Sequence, residues 1–303
     1  MGGWRNWESM ATQVHGPLLA APIGIDPWLG GEIRGRYVVS RRIGAGATSA
    51  VYLALERPAL HPVAIKLPLG RCHRYTEEAR LLELISPWGL SVIEVGSTGD
   101  GVPYLVTELV AGATLAATLR LERRLAVVRA AAVARELCAF LAAAHHFSIV
   151  HRDLKPANVM LALDAAGRET IKVIDFGLAV QRGQPAAPEP RGLYGTPAYM
   201  APETIAGDDP SPSSDVYSLG CLLFEMLSGQ PPFTGTLAEV LAQHLYDAPP
   251  RLFGPVVPVG LATLVRDLLA RDPAARPTAA EAGALLARFT FHRRGEPCTS
   301  KSG

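Results

Sequence analysis

An aspartate that can take a proton, and an asparagine five residues later that can turn toward a cation, stand together in Ile149-Val150-His151-Arg152-Asp153-Leu154-Lys155-Pro156-Ala157-Asn158-Val159-Met160-Leu161. Asp153 suits a general base for an attacking hydroxyl, and Asn158 suits a ligand to a metal that bridges nucleotide phosphates. Lys155 lies between base and phosphate. This is the apparatus of phosphoryl transfer to an alcohol. The apolar residues on either side have the character of short strands, which would hold the loop at both ends.

Three further groups fit that chemistry. In Ile43-Gly44-Ala45-Gly46-Ala47-Thr48-Ser49-Ala50-Val51-Tyr52 the glycines let backbone amides approach phosphate oxygens closely. A dinucleotide-binding turn would open a helix and show an acidic residue about twenty positions on; here a strand follows, and Val63-Ala64-Ile65-Lys66 comes next. Ser49 stands where a third glycine would complete the pattern, and it is expected to serve if that position needs no positive φ. Lys66 can act as a point charge on nucleotide phosphates once a carboxylate holds it. Glu78 is the expected partner, because Ala79 and Leu82 mark the buried helix face beside it, whereas Glu77 points about 100° away around the axis. Asp175 follows the strand-like Ile171-Lys172-Val173-Ile174 and precedes Phe176-Gly177, an arrangement that chelates Mg²⁺ between the β and γ phosphates.

The rest of the chain must position these groups. At 303 residues, 49% hydrophobic and 19% charged, it is long for one hydrophobic core and suits two lobes. A net charge of +1 gives no electrostatic case for nucleic acid or an acidic membrane surface. Cys72, Cys138, Cys221 and Cys298 are scattered, which favours reduced thiols and a cytoplasmic location over disulfides or zinc. No apolar run is long enough for a membrane span. Pro17 and Pro22 interrupt the only stretch that resembles a signal peptide. Trp4, Trp7 and Trp28 in the leader are expected to pack on the folded body.

From Tyr37, short β-branched runs with glycine punctuation predict an antiparallel sheet: Tyr37 to Ile43, Val51 to Leu55, Val63 to Leu67, Ser91 to Val95 and Tyr104 to Glu108. One helix, Tyr75 to Ile85, interrupts it. Beyond Gly112 the pattern is mostly helical, with Leu125 to Phe147, Asp215 to Leu227, Leu261 to Leu269 and Ala279 to Phe289 as its clearest elements. Pro185 to Pro190 reads as a loop, and the polar tail as disordered.

Together these motifs resemble the Hanks-type protein kinases, and among them the bacterial serine/threonine kinases. The resemblance spans about residues 37 to 290. It implies an α+β, bilobal fold with a small antiparallel β lobe carrying one regulatory helix and a larger, mainly helical lobe. The implied boundaries are an N-terminal extension 1–36, a kinase domain 37–290 (N-lobe 37–109, C-lobe 110–290) and a tail 291–303. ATP would lie under Ile43, Gly44, Ala45, Gly46 and Ser49. Its ring would be sandwiched by Val51, Ala64 and Met160, with Thr107 as gatekeeper and Glu108 to Val110 as hinge. In family terms Asp153 is the base, Lys155 steadies the γ phosphate, Lys66, held in place by Glu78, meets the α and β phosphates, and Asn158 and Asp175 bind two Mg²⁺ ions, with Mn²⁺ as a substitute. Gly195 to Glu203 resembles the substrate-docking segment, Asp215 the residue that braces the catalytic loop, and Arg276 the partner of Glu203. Lys155 and Thr196 match members directed at Ser and Thr, so protein substrates with those hydroxyls are implied. A nucleotide-binding pseudokinase scaffold is the alternative; it usually lacks Lys66, Asp153, Asn158 or Asp175, all present here. A metal cluster of His145, His146 and His151 is disfavoured, since His151 belongs to the catalytic-loop motif.

One departure stands out. Between Gly177 and Gly195 there is no Ser or Thr, and the only hydroxyl is Tyr194. Many relatives order this loop through a phosphothreonine that pairs with the Arg before the catalytic Asp, here Arg152. Activity is therefore expected not to depend on phosphorylation there, with Glu189 or loop packing meeting Arg152 instead.

Overall fold

The computed structural model describes residues 26–46, 48–70, 75–183, 195–252 and 257–290. Those within Met1–Leu121 and Ala143–Gly195 form one compact unit, and those within Glu122–Ala142 and Thr196–Gly303 another. The α+β architecture expected from the sequence is present.

In the first unit β1 (Glu32–Ile33), β2 (Tyr37–Ala45), β3 (Ser49–Glu56), β4 (His61–Pro68), β5 (Val92–Ser97) and β6 (Pro103–Glu108) form a six-stranded sheet in the order β1-β2-β3-β4-β6-β5. Every pairing in it is antiparallel. Five of these strands were expected, each now one to three residues longer, with β5 beginning one residue later than expected. The two-residue β1 has too little sequence to alternate, so periodicity could not show it. Trp28 packs on the sheet as expected; Trp4 and Trp7 lie outside the described residues, as do Pro185 to Pro190 and the tail.

The pleat sorts this sheet into two chemically different faces. Val51 lies opposite Lys66, Lys66 opposite Leu105, and Ala64 opposite both Leu53 and Thr107, so these six side chains share one face. The other face is a closed apolar layer in which Tyr37, Val39, Ala50, Tyr52, Ile65 and Tyr104 are all buried. Helix α1 (Tyr75–Leu84) buries Tyr75, Glu78, Ala79, Leu81 and Leu82. Glu77 stays outside and pairs with Arg80 at 2.6 Å, a solvated i,i+3 pair.

A second, three-stranded sheet in the order β10-β9-β7 comes from β7 (Gly112–Thr114), β9 (Val159–Leu163) and β10 (Glu169–Val173). Gly112 is required there, because a Cβ at that position would run into the carbonyl of Leu161. Short strands β8 (Ile149–Val150) and β11 (Val180–Gln181) pair with each other, and α2 (Leu115–Glu122) follows β7.

The second unit contains most of α3 (Val127–His146), then α4 (Pro202–Ala206), α5 (Pro212–Ser228), α6 (Leu237–Tyr246), α7 (Val259–Leu268) and α8 (Ala279–Leu286). The expected helix from Asp215 starts earlier, at Pro212, where proline's missing N–H costs nothing in the first turn. Thr236 with Glu239, and Thr278 with Glu281, form capping boxes that fix the starts of α6 and α8. Among the described residues no helix is long and apolar enough to cross a membrane.

Candidate active site

The hairpin β2–β3 carries Ile43, Gly44 and Ala45 at the end of one strand and Ser49 at the start of the next. Gly46 donates its amide to the Ser49 carbonyl at 2.8 Å. Ser49 is buried and is not among the non-glycine residues with positive φ, so serine fits in place of the third glycine. Gly44 pairs with Val51, and Val51 with Lys66, which puts the glycine-bearing turn at the end of the strand pair nearest the lysine.

Lys66 sits between two carboxylates. Its Nζ donates to Glu78 Oε1 at 2.6 Å and to Asp175 Oδ1 at 2.8 Å. Glu78 Oε1 also accepts the amide of Phe176 at 3.3 Å, so one carboxylate joins α1, the β4 lysine and the Asp-Phe-Gly turn. Burial works against the ammonium charge of Lys66, but Glu78 and Asp175 outweigh it and raise its pKa above the usual lysine range. Burial likewise pushes the Glu78 carboxyl up. At Asp175 burial opposes ionisation, yet the Lys66 charge, its hydrogen bond and the Gly177 amide at 3.0 Å hold the carboxyl below its ordinary value. Asp175 is therefore the stronger acid of the two, the state a cation ligand requires.

The second cluster surrounds Asp153. Lys155 Nζ donates to Asp153 Oδ2 at 2.6 Å, and Asn158 Nδ2 donates to the Asp153 carbonyl at 2.8 Å and to Oδ2 at 3.2 Å. Because the Asn158 amide nitrogen is used in this way, its side-chain oxygen is the atom left to serve a cation. The amide of Ile174 donates to the Asn158 carbonyl at 3.0 Å, which ties the residue before Asp175 to the catalytic loop. His151 is buried and meets the buried Phe176 edge-on, with ring centroids 4.9 Å apart, so it packs against the Asp-Phe-Gly turn. Arg152 holds a positive φ of 70°. Glu189 and Tyr194, the residues its expected setting would involve, lie outside the described residues.

Of the remaining expected residues, Val51, Ala64 and Thr107 share the lysine face, Met160 belongs to β9 in the second sheet, and Val110 follows β6. Ala64, Thr107 and Met160 are buried; Val51 and Val110 are half-buried. Met160 pairs with Thr114 on one side and Lys172 on the other. Sequence reasoning gave Lys172 no role, yet its Nζ donates to Glu108 Oε1 at 2.8 Å and to the Gly89 carbonyl at 3.0 Å. Ser91 adds its amide and hydroxyl to the same Glu108 oxygen. Burial opposes the Glu108 charge, and Lys172 with the Ser91 amide outweighs it, so the carboxyl stays below its usual pKa. The side chain of Glu108 is thus committed to fixing the end of β6, where its amide also donates to the Ser91 carbonyl at 2.9 Å.

The donor set suits a hard divalent cation. Asn158 and Asp175 offer oxygen only, and among the described residues no three His, Cys, Asp or Glu side chains gather into a ready-made metal cage. A cation here would take its other ligands from phosphates and water, as Mg²⁺ does in nucleotide sites.

A family model described as the protein kinase domain matches residues 37–285. The chain belongs to that family. The kinase is 35% identical over 262 residues to serine/threonine-protein kinase PknL of Mycobacterium tuberculosis, covering 83% of this chain and 64% of the relative. It is 34% identical over 281 residues to PknB of the same organism, covering 86% and 44%, and 33% identical over 265 residues to PknA, covering 83% and 60%. The kinase thus spans less than two thirds of the length of these relatives. Its resemblance to Hanks-type bacterial serine/threonine kinases, read from the motifs, holds. Membership in the family also implies, in general, use of ATP and a divalent metal.

Proposed function

We propose that this chain transfers the γ phosphate of ATP to serine and threonine hydroxyls of proteins in bacterial signalling, in the cytoplasm, with Mg²⁺ as the preferred cation and Mn²⁺ as a substitute. The observation that carries the reading is Lys66 held between Glu78 and Asp175 beside the Asp153, Lys155 and Asn158 cluster. Lys66 orients the α and β phosphates, and the loop from Gly44 to Ser49 covers them with backbone amides. Asp153 receives the proton of the incoming hydroxyl, while Lys155, bonded to it, steadies the transferred group. Asn158 and Asp175 hold the cation, which when bound neutralises charge developing on the phosphates. The Ser/Thr preference is supported by Lys155 and Thr196, and by the names of the relatives, which are serine/threonine-protein kinases.

Incubation with labelled ATP, Mg²⁺ and a generic protein substrate is expected to yield phosphoserine and phosphothreonine. Label on tyrosine alone, or no transfer at all, would overturn the proposal. A second expectation concerns the segment 178–195. Protein produced without phosphate in that segment should already be fully active, as measured by its initial rate before and after phosphatase treatment. A strict requirement for phosphate there would refute it.

A further inference from the structure

The family match begins at residue 37, but the eleven described residues before it are built into the sheet. Gly30 donates its amide to the Val39 carbonyl at 3.0 Å, and Val39 returns its amide to the Gly31 carbonyl at 2.9 Å. Glu32 and Ile33 then pair with Val38 and Tyr37. The outer edge of β2 is therefore covered by residues 30–33, and Trp28 and Ile33 close the apolar face opposite Lys66.

At the start of this strap Asp26 is aimed at one rung of the glycine-loop hairpin. Its carboxylate accepts the Tyr52 hydroxyl at 2.9 Å and 3.0 Å, and Arg42 Nη1 stands 3.9 Å from it. A bond from the Trp28 amide at 3.2 Å fixes the carboxylate within its own turn. The Asp26 side chain is only 13% exposed, so these contacts operate with little competition from water. Arg42 and Tyr52 are direct partners across β2–β3, and the next pair toward the turn is Gly44 with Val51. That rung is mechanically special, because register irregularities lie on both sides of it, between Val39 and Arg41 and between Arg42 and Gly44. Bulges interrupt the ladder and bend the strand, so a side-chain clasp there replaces regularity that the backbone lacks. Burial, then the bond to Asp26, pushes the Tyr52 phenol up to about 12, which keeps the hydroxyl a donor at any physiological pH.

We propose that Asp26 is a positioning residue for the phosphate-covering loop: by clasping the Arg42–Tyr52 rung from the back of the sheet, it holds Gly44 to Gly46 and Ser49 ready for the phosphates of a nucleotide. The inference rests on the nucleotide reading above. A loop already held in place loses less freedom when phosphates bind. The clasp acts more on phosphate than on adenine affinity, because of the adenine-facing residues only Val51 belongs to this hairpin, whereas Ala64 and Thr107 lie on other strands and Met160 in the other sheet.

The test compares ATP with adenosine, which lacks the phosphates, by calorimetry on wild type, Asp26→Ala, Tyr52→Phe and Asp26→Asn. Loss of one clasp should weaken ATP roughly 3- to 10-fold in Asp26→Ala and Tyr52→Phe and weaken adenosine distinctly less. Asp26→Asn, which keeps an acceptor for the Tyr52 hydroxyl, should recover most of the ATP affinity. Amide exchange at residues 41–46, measured without ligand, should be faster in the first two variants. Equal weakening of ATP and adenosine, or wild-type ATP affinity with unchanged exchange at 41–46, overturns the proposal. Wild type that binds neither ligand overturns the nucleotide reading itself, and exchange at 41–46 still decides whether Asp26 restrains the loop.

Discussion

Phosphate transfer by the Asp153→Asn variant should fall by roughly 10²- to 10⁴-fold while ATP affinity stays within about twofold of wild type. The substitution is nearly isosteric. In the wild type a single oxygen of Asp153, Oδ2, accepts both Lys155 at 2.6 Å and the Asn158 amide at 3.2 Å, and an amide oxygen can occupy that place. The Asp153 carbonyl bond to Asn158 at 2.8 Å involves backbone and is untouched. What disappears is the capacity to receive a proton from the substrate hydroxyl, which matters in the transition state and hardly at all in nucleotide binding. Single-turnover rates beside a nucleotide titration separate the two effects. A rate close to wild type would remove Asp153 from the role of base, and a parallel loss of ATP affinity would show that it supports the phosphates instead. Lys66→Met makes the opposite comparison, since that side chain is proposed to meet the phosphates directly and its loss should damage binding and rate together.

The candidate catalytic residues were legible in sequence because each belongs to a short local pattern. Asp153, Lys155 and Asn158 are brought together by a single 3₁₀ turn at Pro156–Asn158, so their spacing carries their geometry. Glu78 could be chosen over Glu77 because helix periodicity assigns it to the buried face, and that is where it meets Lys66. Lys172 and Asp26 were not legible. Lys172 reaches a glutamate 64 positions away, and nothing in the local run Ile171 to Ile174 distinguishes a lysine that clamps β6 from one in solvent. Asp26 meets a tyrosine 26 positions on, and the chain around it has too little periodicity to suggest a strap. In both cases function is conferred by the neighbours the fold supplies. The same limit explains β1, a strand that exists because β2 offers it an edge.

The sheet also shows how one element serves two demands. On the Lys66 face the strands present Val51, Leu53 and Leu105 around the lysine, with the smaller Ala64 and Thr107 leaving room for a ligand. On the other face they present Tyr37, Tyr52 and Tyr104 in a closed layer. Two of those hydroxyls converge on Glu94, from Tyr37 at 2.9 Å and from Tyr104 at 2.5 Å, and Arg36 reaches the same carboxylate at 2.6 Å. Buried rings thus keep their polar ends satisfied at the margin of the layer. Rigidity is built on one side, leaving the other open for chemistry.

Arg276→Ala should be the most destabilising single change in the second unit, at about 3–5 kcal/mol, which lowers the melting temperature by roughly 10 °C or more. A guanidinium has five N–H donors, and all are matched here. Nε donates to the Ala270 carbonyl at 2.7 Å; Nη1 donates to Glu203 Oε1 at 2.7 Å and the Ser213 carbonyl at 2.8 Å; Nη2 donates to Glu203 Oε2 at 2.8 Å and the Arg271 carbonyl at 3.0 Å. The cation also lies 4.8 Å from the centre of the Tyr217 ring. Removing it leaves a buried carboxylate and three carbonyls without this donor, and lysine cannot restore a planar five-donor fork. Replacing both Arg276 and Glu203 with Met should recover only part of the loss, because the three carbonyls still lack their partner. The pair also predicts an acid response. Burial opposes ionisation of Glu203, but the hydrogen bonds and charge of Arg276 outweigh it, so the folded carboxyl titrates below its ordinary value of 4.5. Its stabilisation is fully present above that value and is lost as pH falls through the lower, folded one. Chemical denaturation of wild type and Glu203→Gln should therefore show a constant gap from pH 7 down to about 5, and then a gap that closes with further acid. A gap independent of pH across that range would mean that the carboxylate charge contributes nothing, and that Arg276 is held by its carbonyl partners alone.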